Sequence, residues 1–189
     1  AYRRLLRLAR SGYISFVQVN PTSGEGWTLT PKGYKVIRHL LGELKVDGYK
    51  SEYPHHDRLV SALHLGDWLT RQPEYTQTFS EQQLRRIPVD LWDDWLPKSD
   101  THRPDGYSLL FYGEKETVVA FEIELWLKSK SRYEPLVAFY DIHSVIDTVV
   151  WLVDSRVTLN SIKRTFEGFQ IREMQKHCFI LLADFQKHG

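Results

Sequence analysis

Three short apolar runs constrain what this chain can fold into. Val118-Val-Ala-Phe121 lies inside a strand-like stretch, Thr117–Trp126; Thr148-Val-Val-Trp-Leu-Val153 and Cys178-Phe-Ile-Leu-Leu-Ala183 follow. Runs of this length, rich in β-branched and aromatic residues, read as strands buried in a parallel or mixed sheet. Helical spacing fills the gaps between them: residues 129–141 carry Tyr133, Leu136, Val137 and Tyr140, and residues 157–169 carry Leu159, Ile162 and Phe166. Upstream, Tyr107–Tyr112 and the Gly113–Glu116 turn make a hairpin with the Thr117 strand. A helix from about His56 to Gln72, with Leu59, Val60, Leu63 and Leu69 inward, a short strand Tyr75–Phe79 and a capping-box helix start at Ser80-Glu-Gln-Gln83 come before it. The expected body is an α/β domain with helices layered on a central mixed sheet. Residues 88–100 show no regular pattern.

The first fifty residues differ in charge. They hold nine Lys/Arg against three acids, and the remaining 139 hold sixteen against twenty-one, although the whole chain is only +1. Such a division suggests one part that meets a polyanion and another that concentrates carboxylates. Residues 2–10 read as a helix, with Leu5, Leu8 and Ala9 on one face and Arg3, Arg7 and Arg10 on another; Ser11-Gly12 stops it. Tyr13–Val19 is a strand, Asn20–Gly26 a turn, and Trp27–Thr30 the returning strand. Thr30 caps a helix with Pro31 at its first position and an apolar stripe of Val36, Ile37, Leu40, Leu41 and Leu44. Residues 46–55 read as a linker, which divides the chain into 1–46 and 54–189. The chain opens at Ala1 within a helical pattern, as a fragment would. One cysteine, Cys178, excludes a disulfide framework and a Cys-based zinc site and suits a reducing, cytoplasmic setting. No run of about 18 apolar residues is present, so no membrane partner is expected.

The chemistry concentrates at His102-Arg-Pro-Asp105 and Phe121-Glu-Ile-Glu124. Glu122 and Glu124 are two apart on one strand and so point to one face, while Asp105 sits where the preceding strand begins. Burying adjacent carboxylates is costly without a compensating charge. Mg²⁺ or Mn²⁺, which take hard oxygen ligands, would supply it, with Asp105, Glu122 and Glu124 as the metal ligands. The alternative is an edge strand whose glutamates face solvent.

The Pro104-Asp105, hairpin, Glu122-Ile-Glu124 order resembles the PD-(D/E)XK nuclease superfamily, the fold of many restriction endonucleases. Glu124 departs from that pattern, where most members have Lys. Some active members carry Glu-X-Glu, and Glu124 would then position or deprotonate the water. Lys128 shares the parity of Glu124 but lies about 13 Å further on at strand rise. It reads, with Lys130 and Arg132, as a contact to DNA phosphates or as a solvated helix start. The N-terminal helix, hairpin and helix resemble the later part of a winged-helix DNA-binding domain, with Arg3, Arg4, Arg7 and Arg10 on the recognition helix and the hairpin as the wing. The helices that such a domain has before it are missing.

A narrower resemblance joins these parts. Leu29-Thr-Pro-Lys-Gly33, Pro54-His-His-Asp57-Arg-Leu-Val60, Arg103-Pro-Asp105, Phe121-Glu-Ile-Glu124 and Ser129–Tyr133 look like the replication-relaxation family, which includes the MOBC-type relaxases of mobilisable plasmids. The resemblance implies a metal-dependent DNA endonuclease that nicks one strand at an origin of transfer, with accessory mobilisation or coupling proteins as partners. It implies catalytic roles for Asp105, Glu122, Glu124, His56 and Asp57, although His56-Asp57 equally suits a helix N-terminal cap. Two other readings stand beside it: a non-catalytic DNA-binding replication or transcription regulator on a degenerate nuclease scaffold, and a restriction or repair nuclease of the same fold. Tyr133 and Tyr140 are read as packing residues rather than covalent nucleophiles, and Trp92 and Trp95 as a local core rather than base-stacking groups. No Gly-rich phosphate loop is present, which argues against an ATPase.

Overall fold

A computed structural model of the chain describes residues 2–20, 24–40, 53–65, 77–85 and 87–188. It divides into two compact units, Ala1–Arg58 and Leu59–Gly189. In the first, α1 (Tyr2–Arg10) buries none of its residues and ends at Gly12, whose φ of 72° is the left-handed conformation a helix stop favours. β1 (Ile14–Asn20) pairs antiparallel with β2 (Gly24–Leu29), and Phe16 meets Trp27 edge-on with ring centres 4.8 Å apart. Thr30 caps α2 (Pro31–Ile37), accepting from the Gly33 amide at 3.1 Å, with Pro31 in the first turn. The same hydroxyl donates to the Gly12 carbonyl at 2.6 Å, and Lys32 reaches the Ser11 carbonyl at 2.9 Å. A Cβ on Gly33 would sit 1.9 Å from the Tyr13 carbonyl oxygen, so this close approach requires glycine. Regular α-helix ends at Ile37 and gives way to a 3₁₀ turn, Arg38–Leu40, earlier than the apolar stripe suggests. Leu41, Leu44 and the linker up to residue 52 lie outside the described residues.

α3 (Pro54–Leu65) begins two residues before the expected start, and the division between the units falls within it. Residues 66–76, including Leu69 and Tyr75, lie outside the described residues. β3 (Gln77–Ser80) leads into the single turn α4 (Glu81–Leu84), where Ser80 and Gln83 form the reciprocal capping box. Then come β4 (Gly106–Tyr112), β5 (Lys115–Glu124), α5 (Lys130–Ile142), β6 (Thr148–Val153), α6 (Arg156–Glu167), β7 (His177–Leu181) and α7 (Leu182–His188). The sheet runs β3-β4-β5-β6-β7; the first two pairings are antiparallel and the last two parallel. It is a mixed α/β architecture, and the helices α5 and α6 carry the parallel crossovers.

Alternation along the strands sorts two cores. On one face Tyr107, Leu109, Val118, Ala120, Val149, Trp151 and Val153 pack with Tyr133, Val137 and Tyr140 of α5 and Ile162 and Phe166 of α6. On the other, Val119, Phe121, Ile123, Val150 and Leu152 pack with Leu59, Val60 and Leu63 of α3 and Leu182 of α7. Trp92 is buried in the first core and Trp95 packs against it, with their indole N–H groups on the Ile87 carbonyl and the Gln77 amide oxygen. The last strand corrects an expectation. It is an edge strand, half-buried along most of its length, that stops at Leu181; Leu182 and Ala183 already belong to α7. Among the described residues it has a strand neighbour on one side only, so its apolar run does not need both faces covered. No helix among the described residues is long and apolar enough to cross a membrane.

Candidate functional site

Val118 and Ala120 point from β5 into the core beneath α5 and α6. Glu122 and Glu124 continue that parity at the C-terminal end of the strand and are 4% and 1% exposed. The solvent-facing alternative for this pair is thereby excluded. Gly106 pairs with Phe121, so one further step of the register sets Asp105 opposite Glu122. Asp105 Oδ2 accepts from the Ile123 amide at 2.7 Å, a side chain standing in for a strand carbonyl. Its own carbonyl accepts from the Glu81 amide at 3.2 Å. The irregular segment before β4 is thus tied both to β5 and to α4.

The buried carboxylates have specific partners. Glu122 Oε1 accepts from the Tyr140 hydroxyl at 2.5 Å and lies 2.6 Å from His102 Nε2. Glu124 Oε1 is ion-paired with the Lys128 ammonium, while the Tyr133 hydroxyl lies 3.5 Å from Oε2 and accepts from the Lys128 amide at 3.2 Å. Glu81, at the start of α4, holds Arg85 at 2.5 Å. The order of the tyrosines follows from topology. A crossover helix between parallel strands runs back against them, so the earlier tyrosine, Tyr133, meets the later acid, Glu124, and Tyr140 meets Glu122.

These groups form one electrostatic neighbourhood. Burial raises the Glu124 carboxyl to about 7, Lys128 partly opposes the rise, and Glu122 and Asp105 add to it. Burial disfavours the Lys128 charge, yet the carboxylates of Glu124, Glu122 and Asp105 outweigh it and move Lys128 upward. Glu81 also moves up, through burial first, against Arg85 and with the added repulsion of Asp105 and Glu122. Burial and the neighbouring acids push both tyrosine hydroxyls upward, so they remain protonated hydrogen-bond donors rather than ready nucleophiles.

Lys128 is the clearest departure from the sequence reading. Strand geometry ends at Glu124, and the turn through Leu125–Ser129 brings Lys128 back onto that carboxylate instead of carrying it some 13 Å onward. Lys130 and Arg132 are exposed on the first turn of α5, where Lys130 lies 3.4 Å from the Gly168 carbonyl. Arg3, Arg4, Arg7 and Arg10 are all exposed on α1. His56 and Asp57 sit on the first turn of α3, 3.8 Å apart and partly exposed, in the first unit, whereas Asp105, Glu122 and Glu124 belong to the second. Sequence reasoning passed over Glu81, read only as part of a cap, and gave no role to His102. It read Tyr133 and Tyr140 as packing alone. Tyr133 and Tyr140 are seven residues apart and so share one face of the helix that crosses back over the strand bearing the acids, and that spacing was the available signal.

Among the described residues no group of three or more His, Cys, Asp and Glu side chains stands at metal-holding spacing. Glu124 is ion-paired with Lys128, and Asp105 and Glu122 stand at adjoining register positions of neighbouring strands. A two-carboxylate set fits Mg²⁺, which commonly takes one or two carboxylates and keeps several waters, better than it fits a fully protein-made cage. No family model, no curated protein and no solved structure matches the chain.

Proposed function

We propose that the second unit is a PD-(D/E)XK-like nuclease domain that cleaves DNA phosphodiesters with Mg²⁺ or Mn²⁺, and that the basic first unit is a winged-helix-like element that holds the DNA. The single observation that carries this reading is Asp105 facing Glu122 at the start of an antiparallel pair, with the Lys128 ammonium held at the end of the same strand on Glu124. Asp105 and Glu122 would hold the cation. When bound, it polarises the phosphodiester and lowers the pKa of the attacking water. Glu124 and Lys128 keep an ammonium beside the place where negative charge develops and offer a carboxyl poised near neutrality to accept a proton. Tyr140 and Tyr133 orient the two glutamates through their hydroxyls. Arg3, Arg4, Arg7 and Arg10 present an exposed basic surface that suits DNA phosphates, as do Lys130 and Arg132.

Within this class the narrower reading is a plasmid mobilisation relaxase that nicks one strand at an origin of transfer, with mobilisation or coupling proteins as partners and the cytoplasm as its setting. The resemblance implies roles for His56 and Asp57, which lie in the first unit. A second reading has its own support: Glu122 and Glu124 are already satisfied by protein partners, as they would be in a DNA-binding regulator on a retired nuclease scaffold. The test is nicking of supercoiled plasmid carrying candidate origins, in Mn²⁺ and in EDTA, by the parent, Asp105→Ala and Glu122→Ala. Nicking that needs Mn²⁺ and disappears in both variants supports the nuclease. DNA binding that survives EDTA without any cleavage supports the regulator.

A further inference from the structure

Glu122 occupies a position where an apolar side chain would cost less. The same strand face carries Val118 and Ala120, and an aliphatic residue at 122 would pack beneath α5 with no charge to desolvate. Instead the chain buries a carboxylate and converges two donors on one of its oxygens. The Tyr140 hydroxyl donates to Oε1 at 2.5 Å, and His102 Nε2 lies 2.6 Å from the same atom. A carboxylate oxygen accepts, so His102 is the donor in this pair when its proton sits on Nε2. Both of these side-chain contacts of Glu122 therefore converge on Oε1.

His102 is itself held. Its ring packs edge-on against Phe139 at 5.2 Å and against Tyr140 at 5.7 Å, which fixes the ring plane. It also stands three residues before Asp105, on the irregular segment that delivers that acid to the site. That segment reaches β5 by two bonds: Asp105 Oδ2 on the Ile123 amide, and His102 on Glu122. The imidazole therefore ties the loop bearing one acid to the side chain of the other.

We infer that His102 is a positioning residue: its Nε2–H locks Glu122 and sets the separation and orientation of the Asp105/Glu122 pair toward a divalent cation. This rests on the nuclease reading above but assigns a role that the reading does not need. Groups that orient a metal ligand typically change metal affinity or activity by about 10- to 100-fold when removed.

The test uses the full chain and Mn²⁺ alone as the probe, followed by calorimetric titration, with plasmid nicking measured in parallel. His102→Ala is expected to weaken Mn²⁺ binding by about 10- to 100-fold and to lower kcat with little change in KM for plasmid. His102→Gln, which keeps an N–H near the Nε2 position, is expected to recover most of both. Tyr140→Phe removes the other donor and provides a second route to the same loss should His102→Ala fold poorly. Parent-like Mn²⁺ affinity in a folded His102→Ala overturns the positioning role while leaving the nuclease reading intact. A loss that Gln does not repair also overturns it, because bulk and packing would then be the cause. A parent chain that neither binds Mn²⁺ nor nicks overturns both.

Discussion

The two faces of the sheet carry different chemistry on the same strands. Beneath α3 and α7 the buried sheet residues are Val119, Phe121, Ile123, Val150 and Leu152, with the uncharged Ser108 beside Val119 as the polar exception. Beneath α5 and α6 the core is largely aromatic, and buried polar groups accompany it: Glu122, Glu124, Lys176 and His177. Both faces exclude water, but only one holds charge there. A face that needed only to stabilise the sheet would be built like the first. The second face therefore gives up stability to place ionisable groups at the C-terminal end of β5, and open α/β sheets bind ligands beyond the C-terminal ends of their strands.

Perturbing each face separately sharpens this contrast. The largest effect is expected at the acids: Asp105→Ala or Glu122→Ala should lower nicking by about a thousandfold while thermal unfolding shows a folded chain. Ile123→Ala, on the aliphatic face between the two glutamates, should do the reverse. It should cost about 3 kcal/mol in denaturant unfolding, and the folded fraction should keep its activity because the backbone amide on Asp105 is retained. Equal activity losses from Ile123→Ala and Glu122→Ala would erase the distinction.

The polar face should also answer to pH. Trp151 Nε1 donates to His177 Nδ1 at 3.1 Å, and burial, then the Lys176 charge, hold His177 down at about 4 against a partial opposing pull from Asp141. An unfolded histidine takes its proton near 6.5, so between about 6.5 and 4 the unfolded state binds more protons than the folded one. The contribution is complete above that window and fades as pH falls through it, by about 2–3 kcal/mol. Glu124, whose carboxyl is raised to about 7, contributes with the opposite sign over the same range, so the His177 loss is read as the difference between the parent and His177→Gln in urea midpoints at pH 7.5 and 4.5. The smallest stability effect is expected at Lys128→Met. Removing the ammonium lets Glu124 stay protonated to still higher pH, and because protonation relieves the unpaired charge the stability cost is about 1 kcal/mol. Carboxyl NMR of Glu124 would follow that upward shift.

Much of the framework was legible in the sequence. Period-two alternation placed Glu122 and Glu124 on one face, the Ser80 capping box and the Thr30-Pro31 cap fixed helix starts, and helices between apolar runs announced the crossovers. The parts that were not legible have physical reasons. Leu125-Trp126-Leu127 extends the apolar run, so nothing local marks the strand end at Glu124, and only the tertiary turn returns Lys128 to the acid. The β7 run looks as buried as β6 because an apolar stretch does not reveal how many neighbours its strand will have. His102 meets Glu122 from 20 residues away, a contact made by folding rather than by spacing.

The most direct trial of the central claim is a crystal of this chain soaked in Mn²⁺, with data collected at the manganese absorption edge. An anomalous peak is expected between the carboxylates of Asp105 and Glu122, with Lys128 still on Glu124. No peak at that position at millimolar Mn²⁺, with His102 and Tyr140 still closed on Glu122, would contradict that claim.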